Sequence, residues 1–200
     1  YNQAIAARQT ADTEPVAIDE RRRWLLAHPA DSHPVHVIEQ SGCVIGYSSL
    51  SSYRGGRKAL RYTVEISFFV DHAHLGRGVG AALVDHAMAS AAALGYRTLV
   101  ALLLGNNAPS IGILEKYGFR EWGRLPGAAD FDGVEGPDAF GLVSDEKLAE
   151  IAALPLDETQ VLEGPRYEVA YTDDLGGLNS DTYIKLGPDY DTVSNPTFTV

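Results

Sequence analysis

Three glycines at alternate positions, Gly76, Gly78 and Gly80, separate a strand-like apolar run at residues 64–70 from an Ala-rich helical pattern. Residues without a Cβ let a chain turn tightly and leave several N–H groups uncovered. Where a helix begins, those amides meet the positive end of its macrodipole and form a cradle for phosphate or pyrophosphate. Such a cradle requires strand, turn and helix to be contiguous in space, which few other local patterns demand. Two phosphate-binding motifs do not fit it. Gly76-x-Gly78-x-x-Ala81 matches a relaxed dinucleotide fingerprint, but Asp71-His72-Ala73-His74 intervenes after the strand. The next strand ends in Gly105-Asn106-Asn107, with no acid to hold a ribose. A P-loop needs Gly-Lys-Ser/Thr after the glycines, and that sequence does not follow.

Composition narrows the field. The chain has 200 residues, 45% of them hydrophobic, enough for one well-buried domain with an appendage. Its net charge of −11 argues against a general nucleic-acid-binding role, so an anionic ligand depends on local amides and a few cations. No apolar run approaches the ~20 residues of a membrane helix. One cysteine, Cys43, excludes an internal disulfide and suits a reducing compartment. His72-x-His74 lacks a third ligand at useful spacing, so no metal is expected there. Trp24 and Trp122 are expected in the core or in a cleft wall.

Periodicity and punctuation give the element order. Helical segments are expected at residues 1–7 and 18–28, and strands at 35–39 and 43–49 around the turn Gln40-Ser41-Gly42. A polar glycine-containing loop at 53–58 leads to a strand at 60–70. The Ala-rich helix spans 78–94 and closes at Gly95. The run at 98–104 is almost wholly apolar, as for a strand covered on both faces. A short helix follows Asn107 and ends before Gly118. Beyond residue 133 the pattern weakens. Residues 145–154 predict a short amphipathic helix capped by Ser144. Asp173-Asp174 and Asp189-Tyr190-Asp191 lack a calcium-loop pattern and are expected in solvated turns.

Strand, glycine cradle, helix, strand, an Asn107-x-x-Ser110 helix and a Gly118-Phe119 closure, in that order, resemble the GNAT family of acetyl-CoA-dependent N-acetyltransferases. Tyr1-Asn2-Gln3-Ala4-Ile5, Tyr62-Thr63-Val64-Glu65 and Gly118-Phe119-Arg120-Glu121-Trp122-Gly123 resemble its phosphinothricin and methionine sulfoximine N-acetyltransferase branch. The resemblance covers residues 1–133 and implies an α/β fold with a mixed, mainly antiparallel sheet flanked by helices. Residues 134–200 would be an atypical C-terminal extension of unknown role. The family normally opens with a strand reading like Phe-Thr-x-Arg-x-Ala, so that strand is expected to be missing from a truncated or processed start. Asn195-Pro196-Thr197-Phe198-Thr199-Val200 is similar to it. Residues 195–200 therefore either complete the sheet or form a separate tail.

The resemblance implies a cytoplasmic enzyme that acetylates the α-amino group of a small amino acid or analogue. Glu65 would be the general base. Gly76, Arg77, Gly78, Val79 and Gly80 would hold the pyrophosphate of acetyl-CoA, with Phe69, Val70, Leu75, Asn107 and Ser110 along the rest of the cofactor. Leu75 replaces the Gln or Arg usual in the family, and Leu114 replaces a Tyr or His that protonates the leaving thiolate. Tyr117 is the nearby substitute for that acid, with water as the alternative. Tyr53, Arg54 and Arg57 would bind the substrate carboxylate, with the inward-pointing arginine left open; Arg21-Arg22-Arg23 could help, although a solvated helix face is the expected reading. The family also leaves a homodimer open. The alternatives are acetylation of another small amine or a peptide N-terminus, and a non-catalytic acyl-CoA sensor.

Overall fold

The computed structural model describes residues 1–133, 136–144 and 149, and the strand backbones at Arg166–Tyr171, Asp181–Leu186 and Thr197–Thr199. Apart from residue 149, the expected 145–154 helix lies outside the described residues, as do the aspartates at 173–174 and 189–191. Two helices open the chain, α1 (Asn2–Ala6) and α2 (Ile18–Leu26). A hairpin follows, β1 (Val35–Gln40) and β2 (Cys43–Ser52). Its turn places Ser41 at φ 52° and Gly42 at φ 79°, the left-handed pair that matches the twist of a two-residue hairpin. Next come β3 (Thr63–Val70), α3 (Val79–Ala93), β4 (Thr98–Leu104), α4 (Ala108–Lys116) and the strands β5 (Arg120–Leu125) and β6 (Ala139–Ser144). The strand expected from residue 60 starts at Thr63, because Lys58–Leu60 forms a 3-10 turn.

With β7 (Arg166–Tyr171), β8 (Asp181–Leu186) and β9 (Thr197–Thr199), the strands form one mixed sheet ordered β5-β6-β4-β3-β2-β1-β8-β7-β9. Neighbours run antiparallel except β3/β4, β1/β8 and β7/β9. The strand beside β1 is β8, in register from Val35 opposite Asp181 to Glu39 opposite Lys185. β9 pairs with β7 at the far edge.

The core lies between the sheet and α3. Alternation on β3 turns Val64 and Ile66 inward, where they pack with Leu50, Leu99 and Ala101 against Val84, Ala87, Met88 and Ala91 of the helix. A second cluster joins Ile38 and Ile45 to Val79, Ala82 and Leu83 at the start of α3. Small residues let this helix lie close to the strands. A Cβ at Gly46 would meet the Phe69 carbonyl oxygen at 3.0 Å and the side chains of Leu83 and Val79 at 3.1 Å.

The position of the site follows from an interruption between β3 and β4. Their parallel pairing covers only Thr63/Thr98, Val64/Leu99 and Glu65/Val100. Both strands continue for several residues, and each remains fully paired on its other side, β3 with β2 and β4 with β6. The sheet therefore splays open at its middle beyond Glu65, leaving backbone donors and acceptors without a strand partner.

Candidate active site

Glu65 stands at the point where the strands part. It shares a sheet face with Ser67 and Phe69, opposite the face that packs on α3, because side chains alternate along a strand. A cavity of about 490 Å³ opens on this face, lined by Glu65, Ser67, Phe69, Arg21, Trp24 and, at its far end, Asn107 and Ser110. Glu65 is partly buried, and burial raises its carboxyl pKa. Among the described residues it has no ion-pair or hydrogen-bond partner, so its proton affinity is set by desolvation and by whatever enters the cavity.

The glycine cradle lies at the divergent end of β3. Gly76 has φ 73° and Gly78 φ 82°, and a Cβ on Gly76 would point into open space. Gly78 is the N-cap of α3, with no side-chain cap bond. The first amides of this 15-residue helix therefore remain available to an anion. Gly80 has a different role. A Cβ there would lie 3.0 Å from Ile113 Cδ1, so its absence allows the first turn of α3 to approach α4. Val79 is buried in the core, while Leu75 and Arg77 are exposed. Asn107 caps α4, its Oδ1 accepting from the Ser110 N–H at 3.4 Å. Asn107 also lines the cavity, and its Nδ2 has no hydrogen-bond partner among the described residues.

The remaining predicted residues are not brought together there. Val70 lines a neighbouring cavity of about 410 Å³, between α1 and the β2–β3 pair. Tyr117 is half-buried at the end of α4 and packs against the core. Its hydroxyl is pushed up to about 12 by burial and by nearby Asp85, and it lines neither cavity. Tyr53, Arg54 and Arg57 sit in the loop after β2 and also line neither one. Arg54, at φ 51°, reaches back over the Tyr53 ring. Trp122 is 72% exposed on β5, neither core nor cleft wall, whereas Trp24 does line the larger cavity. His74 Nδ1 lies 3.2 Å from Asp71 Oδ1.

Two features of the site depart from the preferred sequence reading. Leu102 is 58% exposed although its strand reads as covered on both faces. It and Leu103 line the cavity, so part of the apolar run is cleft wall. Arg21 also lines both cavities instead of facing solvent with Arg22 and Arg23. The signal was present as Arg21, Trp24 and His28, spaced i, i+3 and i+7 on one face of α2 and its C-terminal extension.

The acetyltransferase (GNAT) family matches residues 3–119 of the chain. YwnH of Bacillus subtilis (strain 168), provisionally named a phosphinothricin acetyltransferase, is 43% identical over 135 residues, 66% of this chain and 82% of that protein. The L-methionine sulfoximine/L-methionine sulfone acetyltransferase of Salmonella typhimurium is 34% identical over 126 residues, 63% of this chain and 70% of that protein. A GNAT superfamily phosphinothricin acetyltransferase from Sinorhizobium meliloti, crystallised in complex with AcCoA, superposes with a TM-score of 0.63 at 26% identity. It covers 68% of this chain and 72% of its own.

Proposed function

The chain belongs to the acetyltransferase (GNAT) family, whose members use acetyl-CoA, and from that premise we propose that it acetylates the α-amino group of a small amino acid or analogue. Residues 1–133 would carry the activity. The observation that carries the proposal is the cavity in which a partly buried Glu65, unpaired among the described residues, meets the open strands and the capped end of α4. Two relatives with acceptors of this class in their names, phosphinothricin and methionine sulfoximine, support the substrate.

The residues present fit acetyl-CoA. Amides of Gly78, Val79 and Gly80, aided by Arg77, would hold the pyrophosphate, and the cradle's open side leaves room for it. The Asn107 carboxamide and the unpaired edges of β3 and β4 would hold the amide-bearing arm. Acetyl-CoA supplies a thioester whose carbonyl carbon accepts the amine, the C–N bond forming as the C–S bond breaks. Glu65 takes the proton that the amine loses, directly or through water, a contribution typically of ~10²–10⁴-fold. Holding the reactants in register supplies much of the remaining rate. The position of Tyr117 outside the cavity favours water as the proton source for the leaving thiolate.

The test is release of free CoA from acetyl-CoA with a panel of phosphinothricin, methionine sulfoximine, L-methionine sulfone, common amino acids and simple amines. Release that requires an α-amino acid is expected; acetyl-CoA binding without release from any acceptor would falsify enzymatic transfer. Glu65→Gln should lower kcat/KM by ~10²–10⁴-fold and remove the acidic limb of its pH profile. That limb reflects deprotonation of Glu65, so activity rises with pH through a pKa raised above the ordinary carboxylate value. An unchanged limb in Glu65→Gln assigns the base to another group.

A further inference from the structure

We infer that Arg21 is the anchor for the acceptor's α-carboxylate, and hence the residue that restricts this enzyme to amino acids over simple amines. The inference rests on the function proposed above and names its specificity determinant. α2 buries no residue in the core, which is unusual for a helix laid on a sheet. Its inward stripe is instead Arg21, Trp24 and His28, and it covers a cleft. His28 fixes the helix there, with Nδ1 2.7 Å from the Trp24 carbonyl and Nε2 3.2 Å from Ser51 Oγ on β2.

The guanidinium of Arg21 is held by its faces. Its Cζ lies 3.5 Å from the Trp24 ring centroid, 4.5 Å from that of Tyr1 and 5.1 Å from that of Tyr47. One Nη2–H donates to the Tyr47 hydroxyl. Stacking leaves the remaining edge donors of a planar fork that can bind a carboxylate in a bidentate manner. Among the described residues no carboxylate pairs with Arg21, which is half-buried and lines the cavity that holds Glu65. That cavity also contains Asp12, whose carboxylate accepts from the Tyr1 hydroxyl. One uncompensated cation and two carboxylates therefore line one pocket. This pattern complements an amino acid, its carboxylate on Arg21 and its amine toward Glu65. Arg54 and Arg57, the arginines expected for this task, lie in the loop after β2 and outside the cavity lining.

The experiment compares kcat/KM for the best amino-acid acceptor of the panel with kcat/KM for its α-carboxamide, in wild type, Arg21→Lys and Arg21→Gln. The ratio of the two is insensitive to the fraction of enzyme folded. Wild type should prefer the carboxylate by on the order of 10²-fold, carried in KM. Arg21→Gln should erase that preference, and Arg21→Lys should keep part of it, with the KM for acetyl-CoA unchanged in each. A preference retained by Arg21→Gln overturns the inference. So does a preference erased by Arg54→Gln or Arg57→Gln and not by Arg21→Gln. A wild-type enzyme that acetylates amines but no amino acid overturns the function proposed above and this inference with it. Turnover of amino acids without any preference overturns the inference alone.

Discussion

His36 and His86 face each other between β1 and α3, ring centroids 4.3 Å apart, and line neither cavity. Burial lowers His36 to about 4, and burial together with His36 lowers His86 to about 3. His36 is 4% exposed, and its Nδ1 has no hydrogen-bond partner among the described residues. The fold therefore keeps both rings neutral while the unfolded chain protonates them near 6.5. Stability from this pair is full above pH 6.5 and is lost as pH falls from there toward 4. Thermal unfolding between pH 7.5 and 4.5 should show this loss, and His36→Phe should flatten the slope; an unaltered slope would assign the acid sensitivity elsewhere. At this scale the sequence was legible where a residue's role is local. Asn107 as a cap and Gly78 in the left-handed conformation follow from their neighbours. The inward turn of Arg21 is marked only by its i, i+3, i+7 spacing with Trp24 and His28, and what that face covers is set by the sheet beneath it. The same limit applies to Arg54 and Arg57, since loop direction is a tertiary property.

The contact between α3 and β2 shows how closely two elements can be brought together. Gly46→Ala would press a methyl group onto the Phe69 carbonyl and onto Val79 in the first turn of α3. Backbone cannot yield as a side-chain tip can, so a loss of ~1–3 kcal/mol is expected. Because Val79 follows the cradle glycine, affinity for acetyl-CoA should fall as well. Gly112 in α4 has nothing within 4 Å of the corresponding position. Gly112→Ala should therefore stabilise by ~0.5–1 kcal/mol through helix propensity alone. Denaturant midpoints of the two variants should move in opposite directions, and movement in the same direction would contradict the packing described. Element order was readable from the Ser41-Gly42 turn to the caps of α3 and α4, whereas the strands β5 to β8 were not read from the sequence. The misreadings have physical causes. Leu60 and Tyr62 suit a strand in composition, but a 3-10 turn precedes Thr63. An apolar strand beside a cleft also has the same composition as one buried on both faces.

At the scale of the whole sheet, only three residue pairs join β3 to β4 near its centre. No sequence pattern marks that opening, because each strand is individually regular and only their divergence creates it. A ligand that lies along the two unpaired edges spans the joint, so binding and cohesion are the same event. Ligand present at about 100 times its Kd adds ~2.7 kcal/mol to stability. Acetyl-CoA should raise the melting temperature accordingly. A CoA fragment that ends at the diphosphate reaches the cradle without entering the gap. At equal fractional saturation it should protect Ala101–Leu104 amides from hydrogen exchange less well, and equal protection would place the joint elsewhere. The arm that carries the thioester would thus be mortar as well as tether. By the same linkage, saturating acetyl-CoA should slow proteolysis within β3 and β4, and its removal should restore the rate of cleavage.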